Sequence, residues 1–270
     1  MAASAAHRRL AAFGAQAAVV FGSGLEAMPG GAVLEDEFGY AELGWPRTEV
    51  PGHAGVLRLV SGVAAGGERL RLALACGRAH AYEGRPEAEL ELPVSELAAA
   101  GVTRVVLTNS TGSLRPEVEP GVVVVCTAVV DLQRPPDGPV PPRLAVCGAD
   151  DAVRVVRALA GCGLVARTGV YCAVVGPQFE TAAEVCWLAR YGDVVGMSAA
   201  PEVRAAAASG SECLLLALVA NRAAEVGSHE EVLERGAGAA HDLSAGLGAA
   251  VAARWPGLVP PRPGEQPWIS

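Results

Sequence analysis

Aromatic side chains are scarce in this chain. Phe, Trp and Tyr together make up 4% of its 270 residues, while 51% of the residues are hydrophobic. The core must therefore be filled mostly by small aliphatic groups, and the chain is long enough to bury a sizeable one. Long apolar runs are also missing. The longest, Val122 to Val130, is too short to cross a bilayer, so no membrane is expected as a partner. Met1 to Gly14 carries Arg8 and Arg9 with no apolar stretch behind them, so no secretory leader is expected. The seven scattered cysteines include no CxxC pair, which argues against both a disulfide framework and a zinc site. Cys126, Cys172 and Cys213 lie in apolar runs and read as buried free thiols of a cytoplasmic protein. Excess positive charge is absent too. A formal net charge of −8 argues against a general nucleic-acid surface. A local Arg/His cluster can still oppose that global sign.

What is present is an alternation of strand-like and helix-like stretches. Strands are expected at Ala17–Phe21, Val56–Val60, Leu70–Ala75, Val102–Leu107, Val122–Val130, Thr168–Val175, Asp193–Gly196 and Cys213–Ala220. Helices are expected at Ala5–Phe13, Glu87–Gly101, Asp150–Gly161, Thr181–Tyr191, Pro201–Ser209 and Glu230–Leu247. Asp150 or Asp151 should cap its helix. Thr181–Tyr191 should bury its Ala, Val, Cys, Trp and Leu side chains. Gln133–Arg143 reads as a Pro-rich connector, and 256–270 as a Pro-rich, loosely docked tail. No repeat or domain boundary interrupts the pattern. The expectation is a single α/β domain over 1–270, with a mostly parallel or mixed central sheet flanked by helices. In such sheets the ligand crevice lies at the carboxyl ends of the strands.

One strand end draws attention. After Leu70–Ala75 comes Cys76-Gly77-Arg78-Ala79-His80-Ala81-Tyr82-Glu83-Gly84, bracketed by glycines. Arg78 and His80 are two apart, so on extended backbone they face one side. A fixed cation beside an imidazole suits an oxyanion or phosphate. Other polar stretches also follow strands: Phe21-Gly22-Ser23-Gly24, Thr108-Asn109-Ser110-Thr111-Gly112, Val175-Gly176-Pro177-Gln178-Phe179-Glu180-Thr181 and Val195-Gly196-Met197-Ser198-Ala199-Ala200-Pro201-Glu202. Val50-Pro51-Gly52-His53-Ala54-Gly55 precedes one. Gly22-Ser23-Gly24 is no Walker motif, because no lysine follows at the required spacing. Glu202 and Glu184 read as structural, and Glu180 could serve only to cap the next helix.

In this order, from about Val19 to about Gly236, these stretches resemble the trimeric, low-molecular-mass purine nucleoside phosphorylases. The resemblance implies cleavage of 6-oxopurine nucleosides by inorganic phosphate, with no other cofactor and no metal. It implies a homotrimer. It assigns phosphate binding to Ser23, His53, Arg78, Ser198 and the Ser110 backbone N–H, and the ribose side to Tyr82, Met197 and His229. It assigns the base to Phe179, Glu180 and Asn221, with His80, Glu180 and Asn221 carrying the catalytic roles.

The chain departs from the family in three places. Ser110 and Thr111 stand where alanines are usual, adding hydroxyls near phosphate and sugar. Ala220 stands where the family has Thr before the base-binding Asn. Val129-Val130-Asp131-Leu132 replaces His-Ile-Asn-Leu, and the loop behind it is shorter. In the trimers that loop lends a Phe to the neighbouring site, yet no Phe occurs here between Phe38 and Phe179. Two alternatives stay open: a phosphorylase for modified or 5′-methylthio nucleosides, and a non-catalytic nucleoside-binding paralogue.

Overall fold

The computed structural model describes residues 4–26, 32–63, 69–135, 138, 140–225, 243, 246–256 and 258. The strands are β1 (Ala17–Phe21), β2 (Val33–Gly39), β3 (Val56–Val63), β4 (Arg69–Cys76), β5 (Arg104–Ser113), β6 (Val123–Asp131), β7 (Arg143–Ala145), β8 (Ala166–Ala173), β9 (Val194–Gly196) and β10 (Glu212–Arg222). The helices are α1 (Ala5–Phe13), α2 (Tyr40–Leu43), α3 (Glu87–Ala99), α4 (Ala149–Gly161), α5 (Ala182–Leu188) and α6 (Ala200–Ala208). Residues 246–254 are also helical.

All the strands join one sheet in the order β10-β6-β8-β9-β5-β1-β4-β3-β2, with β7 beside β6. β10 also pairs with β5, so β5, β10, β6, β8 and β9 close a ring. β1, β4, β5 and β10 run parallel, as do β6, β8 and β9. β10–β6, β5–β9, β2–β3 and β3–β4 are antiparallel. The sheet is therefore mixed. One aliphatic core packs α1, α3 and α6 against one side of it. A second packs α4 and residues 247–250 against the other. Val, Leu and Ala dominate both, as the scarcity of aromatics requires.

Several expectations change. Thr108–Gly112 does not follow β5; it is the second half of that strand, which continues to Ser113. β10 likewise carries Asn221 and Arg222. α4 is capped by Gly148 with no side-chain bond, so neither Asp150 nor Asp151 serves as its cap. Both instead lie in the first turn, where carboxylates favour the helix dipole. On α5 only Leu188 is buried; Ala182, Ala183, Cys186 and Trp187 face outward. Cys162 and Cys186 are exposed, though every cysteine is free. Burial pushes the thiols of Cys76, Cys172 and Cys213 up to about 12, so they stay neutral. β2 and α2 were not expected from sequence. The expected helix 230–247 falls largely outside the described residues, as does nearly all of the 256–270 tail.

Candidate active site

The polar stretches singled out in the sequence meet in one cleft of about 320 Å³. On one side the cleft is built around Arg78. Gly77, with φ 109°, turns the chain out of β4; a Cβ there would lie 2.7 Å from the Cβ of His53. Arg78 is 5% exposed. Its Nη2 donates to the carbonyls of Val20 on β1 and Thr108 on β5, each at 2.9 Å. Its Nη1 donates to Ser198 Oγ at 3.2 Å, and its Nε lies 3.2 Å from the Glu202 carboxylate. A guanidinium has five N–H groups. Three are hydrogen-bonded to the protein and Nε faces Glu202 as an ion pair without hydrogen-bond geometry, which leaves one Nη1 hydrogen for the cleft rather than a full fork.

Ser198 follows β9 on a strained turn. Ala199 has φ 69° and ψ −32°, and the Ala200 N–H bonds the Ser198 carbonyl at 2.9 Å. Ser23, just past β1, contacts His53 Nε2 at 2.8 Å. His53 itself does not line this cleft. It stands behind Ser23, with its ring 5.2 Å from that of His80.

His80 stacks on Tyr82 with centroids 4.9 Å apart. Glu83 accepts the His80 backbone N–H at 2.7 Å and faces Nδ1 at 3.3 Å. It also accepts from Thr48 at 3.0 Å. Burial alone would raise the Glu83 carboxyl, yet the bonds from His80 and Thr48 hold it below its ordinary value. A carboxylate fixed on Nδ1 orients the imidazole and leaves Nε2 as its second functional atom.

The opposite side is looser. Gly176 (φ 79°) lies three residues past β8, and a Cβ there would lie 2.3 Å from Met197 Sδ, so only glycine lets the two meet. Phe179 follows and is 42% exposed. Glu180 lines the cleft half-buried, and burial pushes its carboxyl up. The helix cap behind it is Thr181, paired with Glu184. A register shift between Val219 and Asn221 brings Asn221 to the cleft. Its amide donates to the Arg222 carbonyl at 2.9 Å, with one N–H and the oxygen remaining.

Thr111, one of the two added hydroxyls, is turned inward and donates to the Leu218 carbonyl at 3.1 Å. Both residues line the cleft, but the Thr111 hydroxyl proton is already engaged. Among the described residues no cluster of His, Cys, Asp or Glu could hold a metal ion.

The model of the phosphorylase superfamily matches residues 16–252. A purine nucleoside phosphorylase of Rattus norvegicus is 34% identical over 251 residues, covering 84% of this chain and 85% of that protein. One of Mycobacterium tuberculosis is 36% identical over 258 residues, covering 87% and 88%. The chain belongs to the purine nucleoside phosphorylase family. A solved Schistosoma purine nucleoside phosphorylase in complex with hypoxanthine superposes with a TM-score of 0.75 at 26% identity, covering 93% of this chain and 95% of that one.

In this family member, Ser23, Arg78, His80, Tyr82, Ser110, Phe179, Glu180, Met197, Ser198 and Asn221 share the cleft. His53 adjoins it through Ser23. His229 lies outside the described residues. Sequence reasoning passed over Glu83, Asn109 and Tyr171, and read Glu202 only as structural. Glu83 was detectable as the residue three positions after His80 in the His80-Ala81-Tyr82-Glu83 capping pattern. Asn109 lines the cleft at 2% exposure, with no partner for either amide atom among the described residues. A buried amide so placed can be satisfied by a water or by a polar group in the cleft.

Proposed function

We propose that this chain cleaves the N-glycosidic bond of 6-oxopurine nucleosides with inorganic phosphate, giving the free base and ribose 1-phosphate. The observation that carries this is the single cleft joining Arg78, Ser198, Ser23 and His80 to Phe179, Glu180 and Asn221. Phosphate, on the arginine side, attacks the anomeric carbon as its bond to the base nitrogen breaks. The base leaves with that electron pair and takes up a proton. The transition state is oxocarbenium-like by analogy with other glycoside cleavage. The remaining Arg78 N–H, the hydroxyls of Ser23 and Ser198 and the Ser110 N–H hold the oxyanion. Phe179 stacks the purine, and Glu180 accepts from its N1 edge. Asn221 donates to N7 as negative charge grows there, which favours the transition state over the ground state. Met197 and Tyr82 flank the ribose. His80, oriented by Glu83, faces phosphate and sugar.

The whole chain acts as one domain on the single sheet, with phosphate as the only co-substrate. Free thiols throughout suit a reducing cytoplasm. Exposed Val175 and Trp187, on the segment that also carries Phe179 and Glu180, support a homotrimer. The loop after β6 supports broad sugar tolerance. Arg134 pairs with Glu87 and Glu91 on α3, and Gln133 donates to the Val174 carbonyl at 3.0 Å. Arg204 on α6 joins the same network through Asp131 at 2.5 Å. A loop tied back to its own subunit leaves the ribose side open to modified sugars.

Base release from inosine, guanosine and sugar-modified nucleosides, with and without phosphate, tests the activity. Release that needs phosphate and survives chelator is expected; equal release without phosphate contradicts it. Light scattering tests the assembly, and a monomer refutes the trimer.

A further inference from the structure

The fully buried hydroxyl of Tyr171 has no place in the reaction so far described. Tyr171 lies on β8 beneath the cleft and is 0% exposed, one of the largest enclosed side chains in the molecule. It does not line the cleft. Its oxygen accepts the backbone N–H of Ser198 at 3.2 Å. The contact crosses from β8 over β9, whose register pairs Ala173 with Gly196. Gly196 makes it possible: a Cβ there would lie 2.5 Å from the Tyr171 oxygen. Burial holds the phenol far above its ordinary value, so it stays protonated at working pH.

Ser198 is thus gripped at each of its polar atoms. Its N–H is held by Tyr171, its carbonyl by the Ala200 N–H, and its Oγ by Arg78 Nη1. Arg78 can only donate, so the Ser198 oxygen is the acceptor of that bond. The Ser198 hydroxyl also bonds the Tyr171 oxygen, so Tyr171 fixes both the backbone and the side chain of the serine. This matters because Ala199 stores backbone strain directly behind the serine. Without a bond at its N–H, Ser198 could relax with that turn and lose its aim.

We propose that Tyr171 is a positioning residue for the phosphate half of the cleft, acting through Ser198. The proposal rests on the phosphorolysis proposed above. It assigns Tyr171 to phosphate recognition alone, and not to the base or the sugar.

Tyr171→Phe keeps the ring and deletes the hydroxyl, and with it the acceptor of the Ser198 N–H. Leaving a buried N–H unpaired should raise the KM for phosphate about tenfold, with the KM for inosine unchanged. In a Ser198→Ala background, where there is no hydroxyl left to aim, the same change should have almost no effect on the KM for phosphate. Gly196→Ala reads the contact from the other side, by driving a methyl against the phenol oxygen, and should also raise the KM for phosphate. An unchanged KM for phosphate in both single variants overturns the proposal. So does a tenfold loss that persists in the Ser198→Ala background, since Tyr171 would then be only a structural support. If the parent protein itself shows no phosphate dependence, it is the phosphorolysis that fails, and the two failures are distinguished.

Discussion

The two halves of the cleft are built differently. On the side proposed for phosphate, Arg78, Ser198 and His80 are held by strand carbonyls, a buried carboxylate, a turn N–H and a neighbouring Glu83. On the side proposed for the base, Phe179 is 42% exposed, and among the described residues the Asn221 amide bonds only the next carbonyl of its own strand. An anion must meet donors already in place, because each donor that has to move lowers the transition-state stabilisation. A flat, apolar purine can instead order a ring and an amide as it binds, at the cost of their rotamer freedom. The first half should therefore be intolerant of substitution, and the second should tune specificity.

The sharpest way to break this contrast is Arg78→Ala. Loss of one preorganised oxyanion donor should lower kcat/KM by about 10²–10³. It also leaves Glu202 buried without its cation, so chemical denaturation should show a loss of about 3–5 kcal/mol. Adding Glu202→Gln should restore stability but not activity. Full activity in Arg78→Ala would remove the phosphate half altogether.

Asn221→Asp probes the other half. Exchanging the donor amide for a carboxyl should raise the adenosine-to-inosine turnover ratio about tenfold. A ratio that does not move would detach Asn221 from the base. Phe179→Ala should raise the KM for inosine about tenfold through lost stacking. Folding stability should change by less than about 0.5 kcal/mol, since the ring is largely outside the core. A large drop in thermal midpoint would show that the base side is not loose.

The mildest probe is pH. Burial raises the Glu180 carboxyl, and Glu180 must be ionised to accept from the purine. Activity should fall as pH drops through that raised value, so the acid limb for inosine should lie above the ordinary carboxylate range. The sign for stability is opposite to that of a salt-bridged acid. The preference for the protonated form favours folding at low pH and is lost as pH rises through the folded value. In Glu180→Gln the displaced limb should vanish; its persistence would assign it to another group.

The contrast between the halves also explains what the sequence could reveal. Arg78, Ser23, Ser198 and Asn221 are legible because each polar group interrupts an apolar strand or ends it. β1, α1 and α3 follow from simple periodicity. β2 stays hidden because Glu35, Asp36 and Glu37 face water and mask its strand pattern. The polar half of β5 looks like a turn, since Thr108, Asn109 and Ser110 suit turns better than strands. The supporting contacts are less accessible still. Tyr171 lies 27 residues from Ser198 and Arg78 lies 120 from it, so no local pattern joins them. The outward apolar face of α5 reads as core in the sequence, because helix periodicity cannot distinguish an interior from an exposed apolar face.

Following phosphorus by NMR while inosine is consumed tests the central chemistry most directly. A new sugar-phosphate ester signal should grow in step with hypoxanthine, and neither should form without phosphate. Hypoxanthine that accumulates while inorganic phosphate stays unchanged would mean hydrolysis by water, and would contradict a cleft built to deliver phosphate.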